Sequence, residues 1–195
     1  GVLVLLILNI AEAVVTQFLQ YKDDSVEPID KNIDLCNSLV GVVLVLCLMF
    51  IIYKRKHIMK IKNLKLVSKL SMAWVIAYTM WNTLFRIQLY QNTVVAVFFI
   101  LTMLVPAFLY YYTKGNIDFI QYRAGVLLFY ILMMVGFTKG NGNIFPIYNL
   151  IGYDKEVDED TIITKIQKNH AFRYTFLSIT IVATIVATVE TVRHN

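Results

Sequence analysis

The sequence contains few of the residues that carry catalysis, metal binding or covalent cross-links. Among its 195 residues are two cysteines and three histidines, and only 16% are charged, against about 25% in soluble domains. Cys36 and Cys47 fall on one predicted helix, so they lie roughly 16 Å apart and cannot pair. The histidines are in loops or at helix ends, and the sequence has no nucleophile elbow, phosphate loop or pair of carboxylates on one helix face. We therefore predict that the chain is not an enzyme and holds no metal or cofactor.

Long apolar runs take the place of the missing charge. Hydrophobic residues make up 58% of the chain and the mean hydropathy is +0.63. These residues come in blocks of about 17 to 25, the length that a helix needs to cross a bilayer. The blocks predict six transmembrane spans, at residues 1–20, 35–53, 67–90, 93–113, 119–137 and 171–192.

The predicted fold is therefore all-α, a polytopic transmembrane helical bundle with six spans, in which residues 1–195 form a single domain. The chain begins with Gly1 and passes straight into the first apolar block, without a basic leader. We expect upstream sequence and seven or more spans in the full-length protein.

The charged residues are divided between two loops of opposite sign. Residues 22–34 are mainly acidic, whereas residues 54–69 carry only basic charges and account for most of the net charge of +5. Because basic loops are retained on the cytoplasmic side, we place residues 54–69 inside, residues 22–34 outside and the later loops alternately. The basic loop also suits anionic lipid headgroups, at about 1 kcal/mol per basic residue near the surface. Without aromatic or motif support, it does not indicate nucleic-acid binding.

The segment 138–170, between the fifth and sixth spans, is the one connection long enough for extramembrane structure. It begins with the helix breakers Gly140, Gly142 and Pro146, continues with an apolar stretch and an acidic turn, and ends in a predicted short helix. We expect an extramembrane loop or cap over the bundle. A lid that gates substrate entry is the alternative interpretation.

Polar side chains interrupt the apolar spans at similar depths. In the third span, Tyr78, Asn82 and Arg86 share a face that lipid tails would solvate poorly. Counted at 1.5 Å per residue from the expected outer boundary, Glu12 lies roughly 13 Å deep and Asn82 roughly 12 Å deep. We predict an outward-facing polar pocket for a small solute or cation, lined by Asn9, Glu12, Asn37, Tyr78, Asn82, Arg86 and Arg173.

Glu12 has the clearest electrostatic requirement in this set. An ionised carboxylate against lipid costs several kcal/mol, so we expect Glu12 to face the bundle interior with Arg86 or Asn82 as its partner, and Arg173 as the next candidate. Two interpretations stay open: Glu12 binds a cation or proton, or its contact only fixes helix packing. Trp74 and Trp81 are expected to act as packing residues and interface anchors.

Two patterns outside the pocket indicate packing and anchoring. In the sixth span, threonines and alanines recur at a spacing of about four residues, which permits close helix approach inside the bundle or between subunits of a homo-oligomer. Tyrosines at the end of the fourth span, with Gln121 and Arg123 at the start of the fifth, fit an anchoring belt at the inner headgroup boundary.

Five stretches carry a resemblance to known sequences: NIAEAV at 9–14, NSLVGVVLVL at 37–46, AWVIAYTMWN at 73–82, LVPAF at 104–108 and QYRA at 121–124. Together they resemble a family of uncharacterised bacterial multi-pass membrane proteins, a domain of unknown function with a W-x-I-A-Y-x-x-W-N transmembrane signature. The resemblance covers most of residues 8–135 and singles out Asn9, Glu12, Trp74, Tyr78, Trp81, Asn82, Pro106, Ala107, Gln121, Arg123 and Ala124. Thr79 and Tyr122 depart from the pattern, where an acid and a histidine are expected. These two departures weaken the case for a proton relay, and the resemblance brings no established activity.

Taken together, the sequence predicts an integral protein of a bacterial inner membrane, with the lipid bilayer as its main partner. The predicted function is transport or conduction of a small solute or cation through the polar pocket. The alternative is a membrane sensor or interaction subunit without transport activity.

Overall fold

The computed structural model describes residues 2–22, 28–56, 70–89, 93–114, 119–136 and 162–194. The helices in these ranges are α1 (Val2–Lys22), α2 (Pro28–Lys56), α3 (Met72–Leu89), α4 (Thr93–Tyr112), α5 (Phe119–Gly136), α6 (Ile162–Lys168) and α7 (His170–His194). The same ranges contain no strand, so the all-α prediction is confirmed for the part of the chain that the structure describes. The basic loop 54–69 and the segment 138–170 lie largely outside the described residues.

Each of the six predicted spans coincides with a helix, but two helix starts differ from the prediction. α2 begins at Pro28 instead of residue 35, because proline fits the first helical position and Asp30 favours the first turn through the helix dipole. α3 begins at Met72 instead of residue 67. There the Trp74 amide donates a hydrogen bond of 3.1 Å to the Ser71 hydroxyl, which caps the helix. The short helix expected before the last span is present as α6.

The long helices run alternately up and down. α1 and α2 pack as an antiparallel pair, and α3 runs antiparallel to α2. We call the end with Gln88 and Arg173 the upper end, and the end with Leu70 and Tyr110 the lower end. α4 returns to the lower end, where the Tyr110 hydroxyl donates to the Leu70 carbonyl. α5 starts from the lower end and runs parallel to α3, since its Phe119 contacts Trp74 and its Arg123 contacts Tyr78 one turn farther along both helices.

α2 and α7 run in the same direction through the bundle. Arg173 of α7 contacts Asp30 of α2 at the upper end, and farther down the Cys47 sulfur lies 3.5 Å from the Thr188 hydroxyl. Since α2 finishes at the lower end and α7 starts at the upper end, the chain between them returns upward. α3 makes this return. α4 then runs down to the lower end and α5 runs up again.

The core of the bundle is built around α3. Trp74, Tyr78 and Trp81 on this helix are all fully buried, and both indoles donate to carbonyls of α2. The Trp74 nitrogen lies 3.2 Å from the Leu44 oxygen, and the Trp81 nitrogen lies 2.7 Å from the Asn37 oxygen. The predicted packing role of the tryptophans is confirmed. Their predicted role as interface anchors is wrong, because a buried indole does not reach a headgroup boundary.

Gly41 marks the point where α1, α2 and α3 come closest together. A Cβ atom at this position would lie 2.6 Å from Cγ2 of Val14 and 2.8 Å from Cζ2 of Trp81. Real Cβ atoms do not approach other atoms this closely, so the packing of three helices depends on a residue without a side chain. Gly125 on α5 is the opposite case, since a Cβ there would meet nothing within 4 Å.

Two of the described helices are long and apolar enough to cross a membrane, Asp30–Lys54 within α2 and His170–Arg193 within α7. Only 44% and 28% of their most apolar windows are buried, whereas the core helix of a soluble protein is mostly buried. Shorter apolar stretches lie within α4, at Phe99–Tyr112, and within α5, at Phe119–Phe129. These findings support a membrane location through two candidate spans, but they do not establish six.

Candidate functional site

The structure places the predicted pocket residues in different surroundings. Asn37, Tyr78, Asn82, Arg86 and Arg173 are buried, Asn9 is half-buried and Glu12 is exposed. The described contacts join some of these residues, with others that the sequence did not single out, into two groups. The first, here called the upper cluster, consists of Gln17, Asp30, Asp34, Gln88 and Arg173. The second, here called the central network, consists of Tyr78, Asn82 and Arg123.

Glu12 does not occupy the position expected from the sequence. α1 buries Ile10, Ala13 and Gln17 along one stripe, and Glu12 lies about 100° around the helix from Ala13. Its side chain is therefore exposed, and the expectation that it faces the bundle interior and meets Arg86 or Asn82 is wrong. Its place in a ligand pocket stays a prediction.

Arg173 is the centre of the upper cluster. Its guanidinium is buried, pairs with the Asp30 carboxylate and lies 2.9 Å from Nδ1 of His170. Because a guanidinium has only donors, Nδ1 of His170 is the acceptor in this contact. Asn169 holds the first turn of α7 in place, since its side-chain oxygen accepts from the Phe172 amide at 3.0 Å. Arg173 thus links the starts of α2 and α7.

Asp34 is the buried carboxylate of the upper cluster, and sequence reasoning missed it together with Gln17, Asp30 and Gln88. It is 4% exposed, it has Asp30, Arg173 and Gln88 as neighbours, and its Oδ1 atom has no hydrogen-bond partner among the described residues. The sequence interpretation assigned Asp34 to the acidic loop. The available signal was its position three residues before Asn37, which places both side chains on one helix face.

Gln17 and Gln88 connect α1 to the upper cluster. Nε2 of Gln17 donates to Oε1 of Gln88 over 3.4 Å, while the buried Oε1 of Gln17 finds no partner in the described part of the chain. Asn37 shows the same imbalance. Its amide nitrogen donates to the Trp81 carbonyl at 3.3 Å, and its Oδ1 atom is buried without a described donor. Gln17, Asp34 and Asn37 therefore have buried acceptor atoms without described donors, and Nε of Arg173 is a buried donor without a described acceptor.

The central network joins α3 and α5. The Tyr78 oxygen accepts from Nε of Arg123 at 3.1 Å and from Nδ2 of Asn82 at 3.3 Å. Arg123 is only 1% exposed. The sequence interpretation placed it in an anchoring belt at the headgroup boundary, whereas the structure turns its guanidinium into the bundle, to Tyr78. Its contact with a headgroup stays a prediction.

Arg86 and Asn9 belong to neither group. The Arg86 guanidinium stacks 5.1 Å from the ring centroid of Phe85 and 5.3 Å from that of Phe99, and so packs α3 on α4. Asn9 lies eight residues before Gln17 on α1, roughly 12 Å farther down the helix. The structure thus does not bring Asn9 to the upper cluster.

Comparison of the chain with protein-family models, with curated proteins and with solved structures gave no match. The resemblance to an uncharacterised bacterial membrane family therefore stays a prediction.

The two groups of polar residues differ in the charged groups that they contain. The upper cluster has two carboxylates and one guanidinium, and its buried acceptor oxygens suit a cation, a proton or an ammonium group. The central network has one guanidinium and no carboxylate among the described residues; Nη2 of Arg123 lacks an acceptor and Oδ1 of Asn82 lacks a donor there. The guanidinium charge favours an anionic acceptor.

Proposed function

We propose that the chain is a six-span protein of a bacterial inner membrane, with α1, α2, α3, α4, α5 and α7 as its spans. The parallel course of α2 and α7 supports this, since two parallel spans require an odd number of crossings between them. α3, α4 and α5 would supply three. Each of these helices has 18 residues or more, which is close to the length that crosses about 30 Å of hydrocarbon.

Outward-facing apolar side chains support the same proposal for the shorter helices. Leu101 and Phe108 on α4 are 51% and 64% exposed, and Leu128 on α5 is 52% exposed. Water solvates an apolar surface of this kind poorly, whereas lipid tails solvate it well. The bacterial location is supported by the sequence resemblance.

Within this bundle, we propose that the upper cluster binds a small cation or cationic solute during transport. The observation that carries the proposal is the Asp34 carboxylate, which is buried at the upper end and has an oxygen atom without a described donor. Ionisable groups inside membrane proteins face the bundle interior and mark ion pathways. Asp34 meets this description, whereas Glu12, the carboxylate favoured from the sequence, is exposed.

Asp34→Asn is the variant that tests this proposal. We expect the wild-type protein in liposomes to move sodium, rubidium or protons, measured with radioactive ions and an internal pH dye. The substitution keeps the shape of the side chain and removes its charge, so we expect it to reduce this flux about tenfold or more, equivalent to at least about 1.4 kcal/mol.

Glu12→Gln is the matched control, because it removes a carboxylate from an exposed position of the neighbouring helix. We expect it to retain the wild-type flux. Loss of flux in Glu12→Gln but not in Asp34→Asn would assign cation binding to Glu12 instead of Asp34. Ion-dependent stabilisation without flux would favour the sensor function over transport, and neither binding nor flux of any of these ions would contradict the proposal.

A further inference from the structure

A buried cation in the lower half of the bundle lacks an anionic partner among the described residues. Arg123 is 1% exposed, and its Nη2 atom is buried without a hydrogen-bond partner there. Its hydrogen bond is to the neutral Tyr78 hydroxyl, through Nε. The acidic side chains that the structure describes are Glu12, Asp30, Asp34 and Glu190, and none of them pairs with Arg123.

The surroundings of this guanidinium make its charge costly. The Tyr78 ring, which bears the acceptor of Arg123, stacks on Trp74 with centroids 5.2 Å apart and meets the edge of Phe119 at 5.9 Å. These aromatic walls exclude water, and an unpaired charge in such a medium costs several kcal/mol. A hydroxyl oxygen carries only a partial negative charge, and the Tyr78 oxygen also accepts a hydrogen bond from Asn82. It therefore does not neutralise the guanidinium.

The position of Arg123 on α5 adds to the preference for an anion. Arg123 follows the first residue of α5 by four positions, which places its backbone roughly 6 Å from the helix start. The amino end of a helix has a partial positive charge and favours anions. Arginine presents a planar set of donors that matches the oxygens of a phosphate group.

We propose that Arg123 binds a phosphate group at the lower end of the bundle. The phosphate belongs either to the headgroup of an anionic phospholipid or to free phosphate in solution. If α5 spans the membrane as proposed above, its first turns lie at the depth of a headgroup, which makes the lipid a source within reach. The site is independent of the upper cluster, which lies at the opposite end and attracts positive charge.

The test is ligand-dependent thermal stability of the full chain, followed by intrinsic tryptophan fluorescence. The protein is purified in lipid-free detergent and measured alone, with inorganic phosphate, and in nanodiscs of phosphatidylcholine with or without phosphatidylglycerol. A ligand at about one hundred times its dissociation constant is expected to raise the Tm of wild type by roughly 5 °C or more. The Arg123→Gln variant is expected to lose this rise.

Three further variants make the result specific. Arg193→Gln removes an exposed arginine from the lower end of α7 and should keep the full rise in Tm. Arg123→Lys retains the charge without the planar fork and should bind about tenfold more weakly; it also replaces Arg123→Gln if that variant does not fold. Asp118→Asn removes the carboxylate nearest to Arg123 in the sequence, and so tests whether Asp118 is the partner of Arg123.

The outcomes separate the sources of phosphate and can overturn the proposal. A rise with inorganic phosphate assigns a soluble ligand, and a rise only with phosphatidylglycerol assigns a lipid headgroup. An equal rise in Arg123→Gln, or loss of the rise in Arg193→Gln, would show general charge binding and overturn the proposal. The absence of any rise in wild type would also overturn it, and a rise that appears only in Asp118→Asn would identify Asp118 as the native partner of Arg123.

Discussion

Replacement of Gly41 by valine is expected to destabilise the bundle by about 2 to 3 kcal/mol, the range for overpacking in a close-packed core. The new side chain would overlap Val14 on α1 and Trp81 on α3. Displacement of Trp81 would also break the 2.7 Å hydrogen bond from its indole to Asn37. Tm should fall by roughly 5 to 10 °C for a chain of this size, measured by tryptophan fluorescence in detergent.

Alanine substitutions supply the controls for this prediction. Gly41→Ala should be milder than the valine variant, because the helix-propensity gain of about 1 kcal/mol offsets part of the overlap. Gly125→Ala makes the same change where a Cβ meets open space, so its Tm should stay the same or rise. Equal effects of alanine at the two positions would mean that the close approach at Gly41 does not limit stability.

Tyr78→Phe is expected to destabilise the protein by about 3 kcal/mol, because it removes the shared acceptor of two buried donors. Nε of Arg123 and Nδ2 of Asn82 would both lose the hydroxyl oxygen that they contact. Tyr110→Phe removes a hydroxyl that donates to the Leu70 carbonyl, and it should cost only about 1 to 2 kcal/mol. Denaturant or thermal unfolding in detergent without added phosphate measures both variants.

A double substitution distinguishes this electrostatic explanation from a loss of packing. If the unpaired guanidinium is the main penalty, Arg123→Met in the Tyr78→Phe background should recover most of the lost stability, since an apolar pair replaces a charge without an acceptor. Strictly additive effects of the two substitutions would contradict this explanation.

The sequence was sufficient to locate the helices because their apolar runs are long and are separated by charged loops. It was less informative about helix starts, which depend on local chemistry such as Pro28 at the first position of α2 and the cap at Ser71. The earlier start of α2 has a functional consequence, since it brings Asp30 and Asp34 into a helix instead of a loop.

The site was predicted less well than the fold, because depth along a helix can be counted from the sequence whereas the direction of a side chain depends on packing. Depth counting predicted polar residues of several helices at similar levels, and of the predicted set the structure places Arg173 in the upper cluster. It could not show that α1 buries the stripe through Ala13 and Gln17 and thereby exposes Glu12. Nor could it show that Arg123 turns inward to Tyr78.

The central claim is that all six long helices cross the membrane alternately, and single-cysteine labelling in intact cells tests it most directly. With Cys36 and Cys47 replaced by serine, cysteines are introduced at Tyr21, Tyr53, Tyr112 and Ile162, which are all exposed positions at the ends of the bundle. A membrane-impermeant maleimide should label the cysteines at Tyr21 and Ile162 in intact cells. The cysteines at Tyr53 and Tyr112 should be labelled only after the membrane is permeabilised. Labelling of the Tyr112 and Ile162 positions from the same side would contradict the six-span bundle.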